Sequence, residues 1–493
     1  MAKKKAPIIE AKVDPNEVLA RYRALVPEET YACILAELDR ALPQGFRTNQ
    51  LQATAYETVK RWKAKYNWEL QPVPFCENGW QVTSATSPPS QTLEHLMGAY
   101  YIQDASSMLP PELFKYDSDT PELVLDLAAS PGGKTTHLVD KMSDLGLVIA
   151  NDASRSRIQA LRLALERWGA INVAITCQPG ELFGAWFPGM FDKVLIDAPC
   201  SMEGLRTAES HPMRPVTGRE RDNLASRQVR LLVSALRAAR TGGQVVYSTC
   251  TLAPEEDEAV LLAIKRRFGS AVEILQPELA LSAPALHMPE ASDYPEIIRA
   301  LRIWPHLYNT AGFFTALIRK NDSIDEASGN HPPQRIWERQ GWATLNSRAV
   351  KELVLAFKDH FGFDLEAVIA RQELTIWKRD ERIQAVPGLF LEKFGNLAVF
   401  ACGLELGSFI GGSLQPSHEW AARFAIQFSG GRMMLPDDQL PTWLRGSDIH
   451  LPVPAEYHPG RVVCLFTKEA QFAGLGKILA GRVKNLLPRR LVA

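Results

Sequence analysis

Between residues 100 and 320, short β-like runs alternate with stretches of helical period, and this alternation constrains the fold more than any other feature of the sequence. The runs are LVLDLA (123 to 128), LVIAND (147 to 152), INVAIT (171 to 176), KVLIDA (193 to 198), GQVVYST (243 to 249) and FFTALIR (313 to 319). Between them Ile158, Leu161, Leu165 and Trp168 recur at helical spacing, as do Leu231, Leu232, Ala235 and Leu236. Strands alternating with helices predict an α/β fold: a mostly parallel, doubly wound sheet with helices on both faces.

The rest of the chain is organised around this sheet. With 493 residues it is too long for one hydrophobic core. A small N-terminal α+β domain is expected over 1 to 95, ending in the loop TSATSPPSQT (83 to 92). The sheet domain follows over 96 to 320, then a polar linker, NDSIDEASGNHPPQ (321 to 334), rich in chain breakers. Val350, Leu353, Val354, Phe357 and Phe361 mark an amphipathic helix that opens an α+β domain over 335 to 410, and a last domain runs from 411 to 493.

Bulk properties narrow the classes of function. The formal charge of −1 gives no global positive field, so any nucleic-acid contact rests on local patches. The seven cysteines are widely spaced without a CxxC pair, which argues against a disulfide framework or a zinc site. No metal is expected, and a reducing, cytoplasmic setting fits the free thiols. No segment reaches the ~18 consecutive apolar residues that a membrane span requires.

Two signals carry chemistry. In VLDLAASPGGKTTHL (124 to 138) a β-like run turns through Gly132 and Gly133 into a helix, and glycines let a ligand approach main-chain N–H groups closely. The turn is neither GxGxxG nor GxxxxGK[ST], which disfavours dinucleotides and nucleoside triphosphates. Asp152 ends the next run, where an acid accepts hydrogen bonds from a ribose. Together they suit an adenosyl ligand without phosphate, such as S-adenosylmethionine. The competing reading makes this a structural turn, with Asp152 capping the following helix and Lys134 on the solvated surface.

The second signal is a pair of thiols. Cys200 in KVLIDAPCS and Cys250 in VVYSTCT each lie just past a strand end, where ligands of such sheets bind, and both can face one cleft. Cys33, Cys177, Cys402 and Cys464 read as small apolar fillers. Carbon 5 of cytosine attacks a sulfonium methyl only after a thiolate adds at carbon 6, a covalent catalysis that splits one hard step into easier ones. Asp197, three residues before Cys200, is placed to assist at the ring nitrogen. Spacing alone leaves open which cysteine attacks.

With these motifs the sequence resembles the RNA 5-methylcytosine methyltransferases of the nucleolar-protein/Sun family, and most the bacterial ribosomal RNA small subunit methyltransferase F group. The stretches that carry the resemblance are YYIQDASSMLP (100 to 110), DLAASPGGKTTH (126 to 137), NDASRSR (151 to 157), FDKVLIDAPCSMEG (191 to 204), GGQVVYSTCTLAPEEDEAV (242 to 260) and GFF (312 to 314). The terminal GLGK and GRVKNLLP are similar to the family's PUA-like RNA-binding domain. The resemblance implies a Rossmann-like methyltransferase sheet that methylates carbon 5 of cytidine in small-subunit (16S) ribosomal RNA. It implies that Cys250 attacks carbon 6 and that Cys200 assists release of the product. It also implies that Asp197 contacts the base, and that Ala128, Ala129, Ser130, Pro131, Gly132, Gly133, Lys134 and Asp152, with Arg157 and Asp197, hold S-adenosylmethionine.

This sequence departs from the family pattern at three places. Met202 stands where the family usually has Gly, which narrows the loop after Cys200. Pro179 stands where an Asp usually lies near the adenine, with Glu181 close by to substitute for it. The segment 205 to 218 departs as well, and a different target-binding loop is expected there.

RNA contacts are expected from two patches. One is Arg47, Lys60, Arg61, Lys63 and Lys65 with Trp62, Tyr66 and Trp68, and the other is Lys477, Arg482, Lys484, Arg489 and Arg490. The plain alternative for each is a solvated charged face. The expected partner is ribosomal RNA of the small subunit, naked or in an assembling particle, acted on by a monomer. The alternatives are a catalytically silent ribosome assembly factor and a methyltransferase for another substrate, such as tRNA or DNA.

Overall fold

The computed structural model describes residues 20–38, 40–52, 56–117, 120–204, 216–324, 331–410, 413–454 and 457–492. At its centre lies a nine-stranded sheet. Strands β5 (Leu123–Asp126), β6 (Leu147–Asn151), β7 (Val173–Thr176), β8 (Phe191–Asp197) and β9 (Ala239–Thr249) are mutually parallel, in the order β9-β8-β5-β6-β7. Beyond β9 the antiparallel β12 (Phe313–Lys320) pairs with β10 (Val272–Leu275) and β11 (Leu301–Ile303). Every residue of β5 and β6 is buried, because helices cover both faces of a parallel sheet and its strands read as apolar runs.

The covering helices obey the periods read from the sequence. Helix Ile158–Trp168 buries Ile158, Leu161, Leu165 and Trp168 and stops at Gly169, whose φ of +76° ends it with a left-handed cap. Helix Gly218–Ala238 buries Leu231, Leu232, Ala235 and Leu236 and begins at Thr217, whose side chain accepts from the Glu220 N–H.

Three smaller sheets flank the centre. The N-terminal sheet comprises β1 (Gln44–Thr48), β2 (Glu69–Val73), β3 (Cys76–Ser84) and β4 (Tyr100–Ile102), ordered β2-β3-β1-β4. Its last strand lies past the expected boundary at 95, because β4 pairs with β1 through Phe46, Arg47 and Thr48. Strands β13 (Ala343–Thr344), β14 (Leu374–Arg379), β15 (Arg382–Pro387), β17 (Leu404–Ile410) and β18 (Ser413–Pro416) form a five-stranded sheet. The expected boundary at 410 therefore falls inside this sheet, since β18 returns on β17. The C-terminal sheet is β19 (Arg432–Met434), β20 (Val462–Phe466), β21 (Phe472–Leu479) and β22 (Arg482–Asn485). Of the expected linker, 325 to 330 lie outside the described residues.

These sheets share cores. The two-residue β16 (Ala401–Cys402) adds to the free edge of β7. Phe394, at the end of helix Gly388–Phe394, packs against Phe187 and Phe191 at ring separations of 5.3 and 5.9 Å. Among the described residues no helix is long and apolar enough to cross a membrane.

Candidate active site

Four parallel strands bring polar or nucleophilic side chains to one edge of the sheet. Asp126 ends β5, Asp152 follows β6, Asp197 ends β8 and Cys250 follows β9. Sequence order reverses between β5 and β8, so their carboxyl ends flank the switch point at which such sheets bind ligands.

There the Gly-rich turn leads from β5 into helix Gly133–Lys141. Gly132 has φ +113°, and a Cβ on it would sit 2.9 Å from the Ala164 Cβ; a Cβ on Gly133 would sit 2.5 Å from Gln103 Oε1. Backbone conformation and close packing therefore demand glycine at 132, while a side chain at 133 would displace Gln103. Lys134 is not a surface lysine: its side chain is 12% exposed and its Nζ donates to Asp197 Oδ2 at 2.7 Å. Ser248 Oγ donates to the other Asp197 oxygen at 3.1 Å, which holds the carboxylate between the turn and the end of β9.

Asp152 accepts from the Ser130 N–H at 3.2 Å and from the Ser154 N–H at 2.8 Å. Arg157 Nη2 donates to the Ser130 carbonyl and lies 3.6 Å from Asp152. Asp152 thus ties down the turn and the loop after β6, while the helix itself begins six residues later, at Ile158.

Two acceptors at this turn are buried without a hydrogen-bond partner, Asp126 Oδ1 and Ser130 Oγ. Burial pushes the Asp126 carboxyl up to about 7, and nearby Asp197 acts in the same direction, against donation from Thr135. Orphaned acceptors beside a glycine-lined turn fit a ligand that carries N–H and O–H donors, as S-adenosylmethionine does.

Across the cleft the Sγ atoms of Cys200 and Cys250 are 3.2 Å apart. The hydrogen bond to Cys250, followed by burial, pushes the Cys200 thiol well above its ordinary range. The two thiol loops are braced together. Ser201 Oγ meets Thr251 Oγ1 at 3.0 Å, and Glu256 Oε2 accepts from the Ser201 N–H at 3.0 Å and from Gln228 Nε2 at 2.8 Å. Gln228 also donates to the Pro199 carbonyl at 3.0 Å. Beneath β9, Thr249 donates to Asp257 at 2.6 Å, and fully buried Arg302 pairs with Asp257 at 3.1 Å and with Glu258.

Comparison with known proteins is consistent along the chain. Residues 115–319 match the family described as 16S rRNA methyltransferase RsmB/F. Residues 15–105 match the N-terminal domain of 16S rRNA methyltransferase RsmF, and 432–493 match the methyltransferase RsmF PUA domain. The ribosomal RNA small subunit methyltransferase F of Vibrio parahaemolyticus is 32% identical over 484 residues, 97% of each chain. That of Escherichia coli O1:K1 is 32% identical over 488 residues, 97% of this chain and 96% of the relative. The chain belongs to the ribosomal RNA small subunit methyltransferase F family.

Membership makes it an S-adenosylmethionine-dependent methyltransferase. Among solved structures, a methyltransferase homologue from Pyrococcus horikoshii shares 33% identity, with a TM-score of 0.52 over 62% of this chain and 99% of its own. NSun6 from Pyrococcus horikoshii shares the fold at 20% identity, with a TM-score of 0.54 over 63% of this chain and 99% of its own.

Against this family background the departures acquire physical meaning. Met202 has φ +64°, a left-handed backbone that glycine adopts freely, and its side chain is 45% exposed. The substitution is felt in the backbone, where the sequence suggested a narrowed loop. Pro179 is exposed at the start of the turn Gly180–Leu182, and Glu181 is paired with Arg227 at 3.2 Å, which engages the carboxylate expected to substitute there. Residues 205 to 215 of the expected target-binding loop lie outside the described residues.

The N-terminal patch is only half as expected. Trp62 and Trp68 are buried in the core of the N-terminal sheet, and Tyr66 stacks on Trp68 at 5.0 Å and donates to Glu94. Arg47 is fully buried, bonded to Asp140 at 2.5 Å, with its guanidinium over Trp168. Lys60, Arg61, Lys63 and Lys65 are exposed on helix Tyr56–Tyr66. In the C-terminal patch Arg482, Lys484, Arg489 and Arg490 are exposed and Lys477 half-buried, with Arg490 paired to Glu419 and Arg482 3.4 Å from Asp448.

Sequence reasoning missed Asp126, Gln228 and Glu256. Asp126 carried a signal, an acid ending the first strand of a ligand-binding sheet, whereas Gln228 and Glu256 reach the site only through tertiary packing.

Proposed function

We propose that this chain methylates carbon 5 of a cytidine in small-subunit (16S) ribosomal RNA, through a covalent adduct between Cys250 and carbon 6. The observation that carries the reading is the pair of thiols 3.2 Å apart, just past the same strand ends at which Asp197 pairs with Lys134 of the glycine turn.

A cytosine stacked in a helix cannot reach the thiols and the methyl donor together, so the target is unpaired or flipped out. Ala128 to Lys134, with Asp152 and Arg157, would hold S-adenosylmethionine, which would supply an electrophilic methyl group. Cys250, the thiol of the TC motif, adds to carbon 6, the role that the family resemblance implies for it. Asp197, fixed by Lys134 and Ser248, meets the ring nitrogen and favours the addition. Carbon 5 then takes the methyl group. The carbon 5 proton then passes to solvent as the carbon 6–sulfur bond breaks, Cys250 leaves as a thiolate with that bond's electron pair, the aromatic ring is restored, and Cys200 assists the departure.

The exposed cations of helix Tyr56–Tyr66 and of the PUA-matching segment supply phosphate contacts. We assign the enzyme to the cytoplasm, in keeping with seven free cysteines, and take it to act as a monomer.

Transfer of labelled methyl from S-adenosylmethionine to small-subunit RNA, free and in particles, tests the reading. Label on carbon 5 of cytosine is expected with wild type, none with Cys250→Ala, and a trapped protein–RNA adduct with Cys200→Ala. Full turnover by Cys250→Ala would refute the covalent route. Absence of transfer by wild type to either RNA form would refute the substrate.

A further inference from the structure

A cavity lies away from the thiols, at the β7 edge of the central sheet. It occupies about 400 Å³ between the β7 edge of the central sheet and the five-stranded sheet, a size ordinary for a small-ligand site. Its wall is a backbone ladder. β16 pairs with β7, the Phe400 N–H donates to the Ile175 carbonyl at 2.7 Å, and the Gly403 N–H donates to the Val173 carbonyl at 2.9 Å. The cavity is therefore preformed by two sheets joined through main chain.

Five arginines line it, and their partners divide them into two groups. Arg162 lies 3.4 Å from Glu166, Arg382 pairs with Glu405, and Arg490 pairs with Glu419. Arg335 and Arg379 have no ion pair among the described residues, so the cavity holds two guanidinium charges in excess. The Arg379 guanidinium lies over the Trp342 ring, 4.9 Å from its centroid, and Phe400 is 40% exposed at the rim. A guanidinium fork recognises phosphate oxygens in pairs, and its stacking on tryptophan holds it ready to do so. Aromatic faces beside such cations take up unstacked bases.

We propose that this cavity binds one nucleotide unit of single-stranded RNA, with its phosphate on Arg335 and Arg379 and its base against Trp342 or Phe400. The proposal rests on RNA being the substrate. β7 is four strands from β9, roughly 19 Å at the usual strand spacing, so the nucleotide held here is not the one being methylated. A free nucleoside monophosphate offers the same chemistry, and the test separates the two sources.

The test compares wild type with Arg335→Gln/Arg379→Gln. Affinity for a small-subunit RNA fragment is measured by fluorescence anisotropy across salt concentrations, methyl transfer by kcat and KM, and AMP binding by tryptophan fluorescence. The expected result is a roughly tenfold loss of RNA affinity, a matching rise in KM, kcat within about twofold, and a salt slope reduced by about 0.7, for the one phosphate that the two arginines share. Arg379→Lys, which keeps the charge but loses the fork, should fall between the two. AMP binding lost with RNA affinity unchanged would assign the cavity to a free nucleotide and overturn the RNA proposal. Unchanged RNA affinity, salt slope and AMP binding in a variant with wild-type melting would overturn the site altogether. If wild type binds RNA in an Arg335- and Arg379-dependent way yet methylates none, the cavity stands and the proposed activity fails.

Discussion

Asp126→Asn tests the electrostatics of the cofactor turn. The Asp126 carboxyl is fully buried at the end of β5, with Oδ2 accepting from Thr135 and Oδ1 unpartnered, and burial raises it from 3.8 to about 7. A displacement of about 3 units corresponds to on the order of 4 kcal/mol between the two protonation states. Its direction fixes the sign of the pH dependence. Between roughly pH 4 and 7 the folded protein holds a proton that the unfolded chain has lost, so this group's contribution to stability falls as pH rises, by up to ~1.4 kcal/mol per unit. Above about pH 7 the carboxyl is ionised in both states and the full penalty is present.

Asparagine has no proton to lose, so the variant escapes this decline. Urea unfolding followed by tryptophan fluorescence at pH 5, 6, 7 and 8 gives the stability difference, variant minus wild type, in which the titrations common to both chains cancel. It should grow by about 1.4 kcal/mol per unit from pH 5 toward 7 and then flatten. The same change removes an ionised acceptor from the cofactor turn, so S-adenosylmethionine should bind about tenfold or more weakly at pH 8, the loss of one charge-assisted bond. A difference that stays flat from pH 5 to 7 would refute the raised carboxyl. An unchanged cofactor affinity would refute its role in the site.

Three other perturbations follow from the geometry. Met202→Gly relieves a left-handed backbone at φ +64° and should raise stability by about 1 kcal/mol, read as a shift in the urea midpoint; a decrease would mean that the Met202 side chain packs usefully. Arg302→Leu leaves Asp257 and Glu258 buried and unpaired beneath β9, and should cost about 3–5 kcal/mol in the same assay. Arg423→Leu severs the buried pair with Asp144 and the donation to the Gly169 carbonyl, so limited proteolysis should cut between the five-stranded and C-terminal sheets faster than in wild type.

The sequence revealed some parts of this molecule and concealed others for identifiable reasons. All six apolar runs are strands: five are parallel and buried on both faces, and β12 is antiparallel yet buried at seven of its eight positions, so each needs hydrophobic residues nearly throughout and leaves a continuous trace. β11 and β16 have three and two residues, too few to show a period, and β16 exists because the β7 edge offers it backbone partners. The two cysteines were legible as residues just past strand ends. Their separation was not, since it depends on the braces from Ser201, Thr251, Gln228 and Glu256. In KRWKAKYNW the basic residues suggested an aromatic-lined RNA surface, yet a helix with mostly charged positions still buries its few apolar ones. Trp62 accordingly faces the core while Lys60, Arg61, Lys63 and Lys65 face solvent, and Trp68, two residues past the helix end, is buried in the same core.

The way the C-terminal sheets are attached sets what they can do for the chemistry. A recruiting module on a loose tether raises only the local concentration of RNA. Here β16 extends the central sheet itself, Phe394 is packed among Phe187 and Phe191, and Arg423 reaches Asp144 beside the turn after helix Gly133–Lys141. Main-chain pairing, a shared aromatic core and a buried ion pair leave little freedom between the cavity at β7 and the thiols beyond β8 and β9. On the proposed binding at both points, RNA would be held at a fixed span, and selection of the target would become a matter of distance as well as of base identity. Loosening the attachment should leave cofactor binding and the reactivity of Cys250 intact. It should instead broaden the set of cytidines that receive a methyl group.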